Sequence, residues 1–277
     1  MRAERAHVPQ ATSAAKGDDS RRRRRHMPAP PAWTVRIMAW ITLLVAWELY
    51  GRTTNPILFT YPTAVAKAFW QFVANGELLK AAAPSLQVLF SGLFFAIVIA
   101  IPFGVVMARF RFVDNWFDTY IAYLYATPTV ALVPVIVLWA GIGIKAKIII
   151  VTLFSVFPVL MNTVQGVKNV DETLLEVARS FKSSEWRIWV DVVIPSAVPF
   201  IVTGLRLAVG RALIGTVLAE MYTSITGLGY MITTYANSFQ TARMFVPIVF
   251  IGTLGVILTS LLNWAERKFA PWKAGAH

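Results

Sequence analysis

The chain of 277 residues is 57% hydrophobic and only 14% charged, with a mean hydropathy of +0.60, whereas soluble domains carry about 25% charged residues. This excludes an ordinary soluble enzyme or binding domain and assigns the chain to a lipid bilayer. The net charge of +12 does not signal nucleic acid, because eight of the 26 Lys and Arg fall within residues 1–27, and with no cysteine a disulfide framework, thiolate nucleophile or cysteine metal site is excluded.

Residues 1–32, rich in Ala, Arg and Pro and including Arg21 to Arg25, are read as a disordered basic extension unable to bury enough apolar surface to fold. Met27, which opens MPAPPAW, is an alternative start. No apolar stretch with a small-residue cleavage site follows the arginines within the first 30 residues, so no cleavable signal peptide is expected. Residues 33–272 form one expected transmembrane domain. Its first span covers about 34–51 and stops at Gly51-Arg52. Pro62 then opens a short amphipathic pattern with Val65, Phe69, Phe72 and Val73 on one face, ending at Asn75-Gly76, which predicts an interfacial helix. Further spans are predicted at about 85–108, 119–141, 147–166, 192–219 and 245–264, giving six, each near the roughly 20 residues a helix needs to cross the hydrocarbon core. The stretch 220–244 is expected to be a loop. Pro102, Pro128, Pro134, Pro158 and Pro199 predict kinks in or beside these helices.

Six spans bring both termini to one side, and basic residues accumulate on the cytoplasmic side of short loops. With both termini inside, the cytoplasmic segments hold 18 Lys and Arg and the opposite side six. The ten tryptophans lie mostly near span ends, where amphipathic rings anchor at the headgroups.

Residues 171–199, DETLLEVARSFKSSEWRIWVDVVIPSAVP, are too charged to span. Apolar residues recur at helical spacing at Leu174, Leu175, Ala178 and Phe181, predicting a cytoplasmic helix–turn–helix. Here the sequence resembles the permease subunits of type I ABC importers, whose EAA loop reads Glu-Ala-Ala, three residues, Gly, nine residues, Ile-x-Leu-Pro. The match falls at Glu176, Ala178, Val192, Ile194 and Pro195; Val177 replaces the first Ala, and Lys182 occupies the Gly position, where glycine would permit a turn that Lys makes less easily. The resemblance continues through TPTVALVPVIVLWAGIGIKAK, FPVLMNTVQGV, GLRLAVGRA, ITGLGYMI and AERKFAPW, in the manner of the nitrate/sulfonate/taurine branch. It implies an all-α, inner-membrane, multi-pass permease that pairs with a second copy of itself, two ATP-binding subunits docked on the EAA loops, and an extracytoplasmic solute-binding protein. Glu176, Ala178, Lys182 and Pro195 become candidate coupling residues. The implied cargo is a small anion such as a sulfonate, nitrate or taurine, with pyrimidine precursors as the alternative.

All three histidines, His7, His26 and His277, lie at the chain ends, so a buried catalytic triad or histidine metal site has no material. No G-x-x-x-x-G-K-[ST] loop occurs, so ATP is expected on partner subunits and no cofactor on this chain. No catalytic or metal residue is assigned. Arg206 and Arg211 fall inside a predicted span, where a charge costs about 2.5–3.5 kcal/mol; each is either a positive group beside an anion pathway or an arginine held by a neighbouring helix. At five residues apart they lie about 140° apart around a helix of ~3.6 residues per turn, so one face does not hold both. Glu48 and Glu220 are read as interfacial. An ion-coupled secondary transporter and an intramembrane enzyme are the competing classes. The sequence lacks the paired broken helices of the first and the converging acid, base or metal residues of the second.

Overall fold

The computed structural model describes residues 31–223 and 225–269. The expected basic extension lies outside these apart from residues 31 and 32, as do residues 270–272. Every regular element among the described residues is helical, as a bilayer requires of apolar segments whose backbone groups find no water to bond. In chain order the helices are α1 (Ala32–Thr53), α2 (Pro62–Ala74), α3 (Glu77–Arg109), α4 (Arg111–Ala126), α5 (Val133–Ala140), α6 (Ile144–Lys168), α7 (Glu172–Ser180), α8 (Glu185–Arg187), α9 (Ile194–Thr223), α10 (Leu228–Asn237) and α11 (Thr241–Phe269). The chain divides after Leu43 into two compact units. Of the first, the described part is the leading half of α1, with Val35, Ile37, Met38, Trp40 and Ile41 exposed.

Four continuous helices are long and apolar enough to cross a membrane: α3, α6, the run Glu185–Thr223 and Thr241–Lys268. The expected span at 119–141, with its proline kinks, is a bent pair, Arg111–Ala126 and Thr129–Ala140, meeting at 89°. The break falls at Thr127-Pro128. Thr127 is extended, with φ −68° and ψ 133°, as a residue preceding proline prefers, and Pro128 has no N–H to continue the helix. α1 has the length of a span but carries Arg36, Glu48 and Arg52, and is not among these four. Among the described residues this gives four continuous spans and one bent pair, with α1 the remaining helix of spanning length. Helix assignment continues through Pro102, Pro158 and Pro199, and the expected loop 220–244 contains α10. The predicted amphipathic helix is α2, with Pro62 at its first turn and Val65, Ala68 and Phe72 buried. Its first turn is tied back to α1: Glu48 accepts from the Thr63 N–H at 3.0 Å and the Thr63 hydroxyl at 2.7 Å, a capping role.

α6 packs between α3 and α9. Val88, Leu89, Val151, Val159, Ala208 and Ala212 form the centre of this contact, each at most 1% exposed. Helices in lipid gain little from burial as such, since lipid tails are equally apolar, so close van der Waals approach has to hold them. Small residues permit it. A Cβ on Gly204 would lie 2.9 Å from the Pro158 carbonyl oxygen and 2.8 Å from Asn162 Cβ, so an alanine there has to push α6 and α9 apart.

Candidate coupling loop and translocation residues

The segment 171–199 forms the predicted helix–turn–helix. Asp171 caps α7 by accepting the Thr173 N–H at 2.8 Å, and Ser184 caps the second arm through the Arg187 N–H. That arm passes through a π-helical stretch, Ile188–Val193, before α9. Pro195 explains the slip in register: lacking an N–H, it cannot bond back to Asp191 in an α-helical ladder. α7 has two faces. Leu175 and Ala178 pack against Val167, Val170, Ile188, Val193 and Ala197 at one end of the bundle, while Leu174, Val177 and Phe181 are exposed, Phe181 by 81%. Glu176 is exposed and its carboxylate makes no hydrogen bond or ion pair among the described residues, so it does not cap its own helix. Arg109 at the end of α3 pairs with Glu185 at 3.0 Å and lies 5.4 Å from the Trp189 ring centroid. Lys168 pairs with Asp114 at 2.6 Å. Both links join the bundle to this end.

Lys182 sits in the left-handed region at φ 54°. Its N–H bonds the Arg179 carbonyl at 2.8 Å and the Ser183 N–H bonds the Ala178 carbonyl at 3.2 Å, the two bonds of a Schellman C-cap, whose left-handed position favours glycine. A side chain there costs about 1–2 kcal/mol. Lys182→Gly is therefore expected to stabilise the purified chain by about 1 kcal/mol and Lys182→Val to destabilise it, read as shifts of the thermal transition. A loss of stability in the glycine variant contradicts the strained-cap account.

The two arginines of α9 differ. Arg206 forms a 2.6 Å ion pair with Glu266 of α11, with side-chain exposures of 32% and 16%. Its guanidinium is thus held by a neighbouring helix. Arg211 is exposed and has no ion pair or hydrogen bond among the described residues. It shares an outward stripe of α9 with Leu207, Gly210 and Ile214.

A constellation that sequence reading missed lies at the far end of α9. Glu220 is fully buried. The Ser85 hydroxyl of α3 donates to its carboxylate, 2.7 Å and 2.9 Å from the two oxygens, and accepts the Leu228 N–H at 2.8 Å; the Gly229 N–H donates to the same carboxylate at 2.8 Å. This latch joins α3, α9 and the start of α10. It also explains two glycines. Gly227 has φ 110°, and a Cβ there would fall within 2.3–2.6 Å of the Glu220 carboxylate, while one on Gly229 would lie 2.5 Å from the Val217 carbonyl oxygen. The signal available in sequence was Gly227-Leu228-Gly229 shortly after a lone carboxylate.

Residues 100–271 match the family described as the binding-protein-dependent transport system inner membrane component. The chain belongs to this family. It is an ABC transporter permease, a transport component and not an enzyme. The permease is 36% identical to a putative ABC transporter permease of Methanocaldococcus jannaschii, covering 83% of this chain and 88% of the relative. It is 30% identical to the putative aliphatic sulfonates transport permease SsuC of Escherichia coli, covering 88% and 95%, and 28% identical to the taurine transport permease TauC of the same organism, covering 91% and 94%. The fold of the permease is that of type I importer permeases: the solved inward-facing MetNI methionine ABC transporter aligns at a TM-score of 0.57 with 19% identity, over 70% of this chain and 94% of that one.

Proposed function

We propose that two copies of the permease form the membrane pathway of an importer that moves a small anionic solute inward, with ATPases docked on α7 and an extracytoplasmic protein delivering the solute. The observation that carries this reading is the outer face of α7. Leu174, Val177 and Phe181 are exposed beside the unpaired Glu176, and a short helix with an apolar face is suited to seat in a groove of a soluble protein. ATP is bound by that partner, since this sequence has no phosphate loop. Both termini and α7 lie on the cytoplasmic side, as the excess of basic residues there favours. A cysteine at position 184 is expected to resist a membrane-impermeant thiol reagent added to intact cells, a clean test because the chain has no cysteine of its own. Labelling from outside reverses the topology.

Sulfonate or taurine as cargo is supported by the names of the SsuC and TauC relatives, and by Arg211. A bare guanidinium facing hydrocarbon costs about 2.5–3.5 kcal/mol, so the stripe carrying Arg211 faces water or the second copy, where its charge attracts an anion. Arg206, already paired with Glu266, is the packing arginine. Arg211→Gln is expected to lower ATP-driven uptake of labelled ethanesulfonate at least tenfold while leaving ATPase association intact. Unchanged uptake removes Arg211 from the pathway.

A further inference from the structure

We propose that the cleft between the start of α3 and α10, at the end of the chain opposite α7, binds a short zwitterion: an ammonium and a sulfonate joined by about two carbons. This rests on the sulfonate-type reading above and narrows it. The two ends are distinct because α3 runs 33 residues from Glu77, at the cleft, to Arg109, which pairs with Glu185 beside α7.

The cleft has a volume of about 240 Å³; Glu77, Lys80, Thr226, Tyr230, Thr234 and Tyr235 supply its polar groups, beside apolar Ala81 and Met231. Drug-sized ligands occupy pockets of about 300–1,000 Å³, so this one suits a smaller solute. Its charges are opposite and separate. Glu77 and Lys80 stand one helical turn apart, with about 5–6 Å between Cβ atoms at such spacing, yet they form no ion pair. Glu77 accepts only from the Tyr235 hydroxyl, at 3.3 Å, and the Lys80 ammonium has no partner among the described residues. Burial, reinforced by the Glu77 carboxylate, pushes the Tyr235 phenol above its ordinary pKa, so it remains a donor to that carboxylate.

A plain sulfonate in this cleft meets repulsion from Glu77, and a plain amine meets it from Lys80. A molecule carrying both charges satisfies both residues. The Tyr230 ring adds a face that attracts an ammonium, whereas the Tyr235 ring already packs on Phe72 and lies 5.9 Å from the Arg243 guanidinium; the Thr226 and Thr234 hydroxyls, which make no side-chain hydrogen bond among the described residues, can donate to sulfonate oxygens. The cleft is also preformed. Ser85 and Glu220 hold Leu228 and Gly229 from beneath, and Gly227 in its wall has no room to take a side chain, so little ordering is left for the ligand to impose.

The test is taurine binding to the full-length permease in lipid nanodiscs, measured by calorimetry alongside ethanesulfonate and propylamine, which each carry one of its charges. Taurine is expected to bind at least tenfold tighter than either. Glu77→Gln should abolish that preference while leaving ethanesulfonate as tight or tighter, and Lys80→Gln should weaken both sulfonates. Both side chains are exposed, and the size-exclusion profile checks that the variants remain folded. No taurine binding, equal binding of ethanesulfonate, or taurine affinity unchanged in both variants overturns the proposal. ATP-driven sulfonate uptake by the permease with its ATPase and binding protein separates the two levels. Uptake that persists while the cleft results fail removes the cleft alone; absence of uptake of every sulfonate removes the reading beneath it.

Discussion

Glu220→Ala is expected to lower the thermal transition of the purified permease by several degrees and to abolish transport, the largest effect of any single substitution outside α7. The carboxylate is fully buried and is the acceptor for the Ser85 hydroxyl and the Gly229 N–H. Removing it strands the Gly229 N–H in a dry interior at a cost of about 1–3 kcal/mol, leaves the Ser85 hydroxyl only the Ala81 carbonyl at 3.2 Å, and opens a void that the helices on either side fill only partly. Glu220→Gln should fall between. Its amide keeps one acceptor oxygen but turns an NH2 group toward a position that needs a second acceptor. Ser85→Ala should resemble the glutamine variant, because it loses both the bond to Glu220 and the acceptor for the Leu228 N–H. A Glu220→Ala chain that melts and transports like the parent contradicts the latch.

Phe181→Glu and Glu176→Ala are expected to cut ATPase association and ATP-driven uptake without altering the stability of the permease itself. Neither side chain supports the fold: Phe181 is 81% exposed and Glu176 has no partner among the described residues. Their cost falls on the complex. A charge-assisted bond from Glu176 to a partner is worth about 1.5–3 kcal/mol, which at the upper end exceeds a tenfold loss of coupling. Phe181→Glu also buries an unpaired charge at the same contact and should cost more. Association measured by pull-down with the cognate ATPase, beside uptake, checks both. Normal coupling in the two variants removes α7 as the docking element.

Most of the helical layout was legible because lipid leaves the backbone few options: long apolar runs became α3, α6, α9 and α11, and Pro62 with its apolar face became α2. The helix–turn–helix at 171–199 was legible for a different reason. Charge at Asp171, Glu172 and Glu185 interrupts the hydropathy, and the mismatch of Lys182 with a glycine position marked a turn that does adopt a positive φ. A kink at Pro128 was legible from the proline, but not its 89° angle, because hydropathy averages over the break. α10 was missed because Gly227, Gly229 and its threonines dilute the apolar pattern of a helix only ten residues long. Glu220 illustrates the remaining limit. One-dimensional position put it near a span end, and only the fold brings Ser85, 135 residues away, to its carboxylate.

The measurement that tests the account most directly is accumulation of labelled ethanesulfonate by proteoliposomes holding the permease with its ATPase and binding protein, with ATP supplied on the α7 side. Accumulation is predicted to require both ATP and the ATPase subunit, and to be lost with Phe181→Glu in the permease. Accumulation driven by an ion gradient with the permease alone would contradict it.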